Sequence, residues 1–102
     1  METMITARHG EIEEALRARA ERVVARLARL ANRPTAAHVT FDLDHQRATA
    51  EVRLLAARGA VHVATAEAAD HRTALDRVAA KLRRQLDKQD TKPRRRAGRA
   101  RR

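Results

Sequence analysis

The chain has 102 residues, which suits one domain with one modest core, and no Cys, which excludes disulfides and thiolate metal sites. Its net charge is +10, from 23 Lys and Arg against 13 Asp and Glu. No apolar run approaches the roughly 18–20 residues that span a bilayer, and METMITARHG lacks the apolar stretch of a secretory signal, so a cytoplasmic, soluble protein is expected.

The first element is a β-prone run at residues 3–8, where Ile5 and Thr6 favour extended backbone. Residues 11–32 carry Ile12, Leu16, Ala20, Val23, Leu27 and Leu30 at three- and four-residue spacing, the stripe of an amphipathic helix. Gly10 precedes it, glutamates at 11, 13 and 14 suit the positive end of its dipole, and Asn32 and Pro34 mark its end. Residues 37–43 alternate, with Val39, Phe41 and Leu43 inward and His38, Thr40 and Asp42 outward. After a turn at 44–47, residues 48–56 alternate again with Ala50, Val52 and Leu54 inward. Arg58-Gly59 makes the next turn, and residues 60–67 form a fourth strand whose inward face the pattern does not decide. Residues 70–89 are a second helix, with Asp70 as its N-cap and Leu75, Val78, Ala79, Leu82 and Leu86 as its stripe. Pro93 is expected to stop it soon after.

The order β-α-β-β-β-α predicts a two-layer α+β domain. A four-stranded sheet carries both helices on one face, an arrangement like that of double-stranded-RNA-binding domains. A helical crossover between the first two strands favours a parallel pair, and the short links after it favour an antiparallel meander. The domain is expected over residues 1–91. Residues 92–102, KPRRRAGRARR, hold seven basic and no acidic groups, leave the rest at 16 against 13, or +3, and are expected to be a disordered Arg-rich tail.

On helical wheels of about 100° per residue, the cations sort themselves. Arg19, Arg22, Arg26, Arg29 and Arg33 share one arc of the first helix, and Arg77, Lys81, Arg84 and Lys88 share one of the second. The acids lie elsewhere, with Glu13, Arg17 and Glu21 spaced for pairing and Asp76 and Asp87 placed near Arg72 and Arg83. Two acid-free stripes and a basic tail point to a polyanion, and nucleic acid is the commonest. With Phe41 the sole residue among Phe, Tyr and Trp, the chain has no platform for stacking bases. Binding is therefore expected through phosphates and shape. The tail has no apolar residue larger than Ala, so a membrane partner is not expected.

Catalytic patterns are missing. There is no Ser and no Cys, and the five His form no HExxH pair. His38 and His62 are read as surface strand residues that are neighbours across the sheet, and Asp42 and Asp44 as a pair beside a turn without a pocket. Neither an enzyme, nor a metal, nor any cofactor is expected.

Two stretches carry a resemblance. One is IT…EI.EALR (Ile5, Thr6, Glu11, Ile12, Glu14, Ala15, Leu16, Arg17) followed by Ala25 and Leu27. The other is A.AE..D...ALD....KL.RQL.K, whose fixed positions run from Ala64, Ala66, Glu67 and Asp70 through Ala74, Leu75 and Asp76 to Lys81, Leu82, Arg84, Gln85, Leu86 and Lys88. With the element order, these make residues 4–92 similar to the short ribosome hibernation-promoting factors and ribosome-associated inhibitors of bacteria, the ribosomal subunit interface proteins. The resemblance implies a protein that binds the small ribosomal subunit between head and body. There it would contact ribosomal RNA phosphates, exclude messenger and tRNA, and hold idle or stressed ribosomes inactive. It matches Arg26 and Arg29 to basic positions of the family's first helix, and Lys81, Arg84, Lys88 and Lys92 to those of the second. Arg22 joins this site by geometry, as Arg19, Arg33 and Arg77 join the stripes. Arg72 stands where family members usually carry Tyr and Ala68 where they often carry Gly. The additional dimerisation domain of long members has no counterpart here, which implies a monomer off the ribosome and leaves ribosome pairing to a second hibernation factor. The alternatives are a general binder of structured RNA or duplex, resting on the same stripes, and an interaction module whose tail binds an acidic protein.

Overall fold

The computed structural model describes the backbone of residues 1–99 and the side chains of residues 1–88. The elements are β1 (Glu2–Ala7), α1 (Glu14–Ala28), β2 (Ala36–Asp44), β3 (Arg47–Leu55), a 3₁₀ turn (Ala57–Gly59), β4 (Val61–Ala68) and α2 (His71–Arg99). The sheet runs β1-β2-β3-β4, with β1 parallel to β2 and the other neighbours antiparallel. This is the α+β arrangement expected, since the one helical connection joins the one parallel pair.

Strand alternation sets the inner face. Ile5 lies beside Val39, Val39 opposite Val52, Val52 opposite Ala64, and Phe41 opposite Ala50, which faces Ala66. Onto this face α2 lays Ala74, Leu75, Val78, Leu82 and Leu86, and α1 lays Ala20, Val24 and Leu27, all buried. Burial of each large side chain is worth about 1.5–3 kcal/mol. The undecided face of β4 resolves as Ala64, Ala66 and Ala68 inward. Small side chains there let α2 sit close over the strand. No polar or charged residue is buried among the described residues.

The differences from the sequence reading lie at element ends. α1 starts at Glu14 because Glu13 is still extended (φ −69°, ψ 154°), and it ends at Ala28. Beyond it the N–H groups of Arg29, Leu30 and Ala31 bond three residues back, to Arg26, Leu27 and Ala28, a tightening common where a helix ends. Leu30 therefore leaves the stripe and is 37% exposed, while Val24 takes a core place. Arg33 has φ 53° and is no part of a helical row. Leu43, expected inward, is 47% exposed, and it lies beside the turn at the closed end of the hairpin, opposite the small Ala48. That hairpin turns on His45 (φ 51°) and Gln46 (φ 65°), both left-handed, as a two-residue primed turn requires. Asp70 caps α2 as expected, its Oδ1 accepting from the Thr73 N–H at 2.7 Å.

Pro93 does not stop α2, which continues to Arg99 across the expected boundary at 91/92. Proline forfeits a single i→i−4 bond while its own φ is helical, and Ala and Arg, which dominate the following residues, are strong helix formers. Residues 100–102 of the expected tail lie outside the described residues. No helix among the described residues is long and apolar enough to cross a membrane.

Candidate nucleic-acid interface

Side chains that the wheels treat alike divide into two groups: cations engaged by the fold and cations left exposed. Arg19 is the first engaged one. Its Nε and Nη2 donate to Asp76 Oδ1 at 3.1 and 3.0 Å, and Nη2 also reaches Oδ2 at 3.3 Å, so a guanidinium fork ties α1 to α2. Asp76 is thus not a partner for Arg72. Sequence spacing could not find this pair, because the two residues lie 57 positions apart.

Arg77 and Lys81 are engaged differently. Arg77 Nη1 donates to the Glu67 carbonyl at 2.9 Å, Lys81 Nζ to the Thr65 carbonyl at 2.7 Å, and Gln85 Nε2 to the Val63 carbonyl at 2.8 Å. Three residues four apart on α2 meet three residues two apart on β4. The spacings agree, since four helical residues rise about 6.0 Å and two strand residues about 6.6 Å.

Arg22, Arg26 and Arg29 on α1 and Arg84 and Lys88 on α2 are exposed, and none forms an ion pair with a described side chain. The same holds for Arg83, which the wheel places on a mixed flank. The expected Glu13–Arg17 and Arg17–Glu21 pairs are also missing from the ion pairs of the described residues, consistent with the small worth of such surface pairs. Lys92 lies beyond the described side chains.

The two helices are neighbours, and charge along α1 is graded. Their N-terminal ends face each other across an open cleft lined by Arg19, Arg22 and Arg72 but also by Glu11, Glu13 and Asp70. Further along α1, from residue 22 to residue 29, every charged residue is Arg. The exposed guanidiniums can offer paired donors to phosphate oxygens, and on α1 the acids of the cleft lie at the N-terminal end, away from Arg26 and Arg29.

A polar cluster lies at this same end, where β2 nears its turn. Asp42 Oδ1 accepts from His9 Nδ1 at 2.6 Å and from the Leu43 N–H at 2.8 Å, with Arg8 at 3.7 Å from Oδ2. The hydrogen bond from His9, then that from Leu43, hold the Asp42 carboxyl below the usual carboxylate range. Asp70 is held low in the same way by the Thr73 N–H and hydroxyl. His71 Nε2 donates to the Asp42 carbonyl at 2.9 Å and its ring meets Phe41 edge-on at 5.6 Å, pinning the start of α2 to β2.

The expected His38–His62 neighbourhood does not form. β3 separates their strands, His62 stands opposite Leu54 on the helix-side parity, and His38 stands on the open face, bonded to Thr6 Oγ1 at 2.9 Å. Among the described residues no group of three or more His, Asp or Glu is placed to hold a metal ion.

Comparisons with known proteins agree with this architecture. A solved ribosomal subunit interface protein from Coxiella burnetii superposes with a TM-score of 0.77 at 23% identity, covering 89% of this chain and 99% of that one. The N-terminal domain of Protein Y from Thermus thermophilus superposes with a TM-score of 0.72 at 30% identity, covering 84% of this chain and 96% of that one. No curated protein sequence matches the chain. Residues 3–94 match the family model described as Sigma 54 modulation protein / S30EA ribosomal protein. The chain, with its β-α-β-β-β-α order and both helical signatures inside that span, is a member of this family.

Proposed function

We propose that the protein is a cytoplasmic ribosome hibernation factor. It binds the small ribosomal subunit in the decoding channel through ribosomal RNA phosphates, and so blocks messenger and tRNA binding in idle cells. The observation that carries this reading is the set of exposed cations that form no ion pair with a described side chain, Arg22, Arg26 and Arg29 on α1 with Arg84 and Lys88 on α2. Membership of the family, and the likeness to a protein named for the ribosomal subunit interface, supply the target. Lys81 adds charge from a position held against Thr65, and Lys92 extends the same helix. Each phosphate contact releases counterions, so affinity should fall with salt by a log–log slope of roughly −0.7 to −0.9 per contact.

The deciding experiment is sedimentation of a stationary-phase extract through a sucrose gradient, with translation inhibition assayed on the same fractions. The protein should travel with small subunits and whole ribosomes at low salt, and inhibition should follow it. Protein remaining at the top, with ribosomes intact, would sink the reading.

A second reading, a general binder of duplex or structured RNA, draws on the lack of a base-stacking aromatic surface. Competition separates the two. Equal affinity for bulk duplex and for small subunits would favour the general binder, and marked preference for subunits the hibernation factor.

A further inference from the structure

β4 is an edge strand, bonded to β3 alone. Edge strands offer outward carbonyl and N–H groups to any second strand. On β4 the outward residues are Val63, Thr65 and Glu67, which stand opposite Arg53, Glu51 and Thr49 of β3. Their three carbonyls are the ones that Gln85, Lys81 and Arg77 reach, in order.

We propose that this row is an edge guard. Arg77, Lys81 and Gln85 act in place of a fifth strand, and they keep β4 from pairing with β4 of a second copy. The occupant excluded is this chain itself because the edge is self-complementary in an antiparallel pairing, with Val63, Thr65 and Glu67 offering a donor and an acceptor each along an eight-residue strand. The guard also brings two positive charges to the edge, so two copies approaching edge to edge repel each other before any bond forms. The sheet face beneath α2 gains nothing from these residues, since all three are exposed and the core is complete without them. Arg77 and Lys81 are therefore held by the sheet, and their place in the cationic stripe is a by-product of the four-residue spacing that the strand demands.

The test needs no RNA, so its failure is separate from failure of the ribosome-binding reading. The Arg77→Ala/Lys81→Ala/Gln85→Ala protein is examined by sedimentation equilibrium and by amide exchange over a concentration series. The expected result is an apparent mass rising toward twice that of the wild type, with slowed exchange at Val63, Thr65 and Glu67. Adding Thr65→Pro should restore the monomer, because the Thr65 N–H faces away from β3 and its loss breaks no ladder bond. A triple variant that stays monomeric at every concentration overturns the proposal. So does a dimer that survives Thr65→Pro, or slowed exchange at those three amides in the wild type. If the triple change unfolds the domain, Lys81→Ala alone carries the test: a weaker dimer supports the guard and a strict monomer overturns it.

Discussion

Arg19 and Asp76 face each other in a forked pair, and this contact joins the helix that follows β1 to the helix that follows β4. Both side chains keep solvent contact, 33% and 47% exposed, so solvent screens the pair. The coupling expected from a double-mutant cycle of Arg19→Ala and Asp76→Ala is about 0.5–1 kcal/mol, the upper part of the range for exposed pairs. Arg19→Lys should lose most of it, because an ammonium cannot fill both arms of the fork. Urea unfolding of the four proteins measures the cycle, and a coupling of zero would show the fork to be ornamental.

Phosphate binding should divide the second helix. Arg84→Ala and Lys88→Ala are each expected to reduce the salt slope of small-subunit binding by about 0.7–0.9. Arg26→Ala should do the same from α1. Lys81→Ala should change the slope by less, since its ammonium is held at the Thr65 carbonyl. Titrations at four or five salt concentrations read this out, and equal slopes for Lys81→Ala and Arg84→Ala would contradict it.

Core packing gives the largest effects. Leu82 is fully buried between α2 and the sheet, and Leu82→Ala should cost about 2–5 kcal/mol. Ala66 lies under α2 on β4, where extra volume has no room, and Ala66→Leu should cost about 1–3 kcal/mol. Thermal melts of both variants check this. A stabilised Ala66→Leu would mean that α2 can lift from the strand.

Stability should fall in acid through two carboxyls. Asp42 and Asp70 are both held below their ordinary value by hydrogen bonds, Asp42 chiefly from His9 and Asp70 from the Thr73 N–H. A depressed carboxyl stabilises the folded chain fully above its unfolded pKa near 4. It loses that contribution as pH falls through the lower folded value. Asp42→Asn/Asp70→Asn should therefore flatten the acid limb of a denaturation series below about pH 4 while leaving its shape near neutrality unchanged. An acid limb as steep as the wild type would place the acid sensitivity in other carboxylates.

Periodicity alone disclosed most of the fold. The inward sets of β2, Leu43 apart, and of β3 and the α2 stripe follow from alternation and three-four spacing, and Asp70 from the chemistry of caps. Periodicity reports which face a residue occupies, but not what it meets there. Arg19, Arg77 and Lys81 sat in the same arcs as Arg26 and Arg84, and the difference between them depends on Asp76 and on carbonyls of β4 that only the tertiary arrangement brings near. The ends of α1 and the passage of α2 through Pro93 are not legible in the pattern, because local breakers compete there with strong helix formers. The His45-Gln46 turn was placed correctly, but neither residue announces a left-handed conformation as Asn or Gly would.

That turn has a consequence for how the sheet assembles. The pairing of Asp44 with Arg47 closes a loop of two residues, and the ladder can then zip outward to Ala36 and Leu55. β4 joins through the short 3₁₀ turn. β1 must instead find partners 34 positions away, Glu2 at Ala36 and Ala7 at Phe41, across the whole of α1. Loop closure therefore favours the hairpin forming first, and β1 is expected to join last and to show the fastest amide exchange of the paired strands.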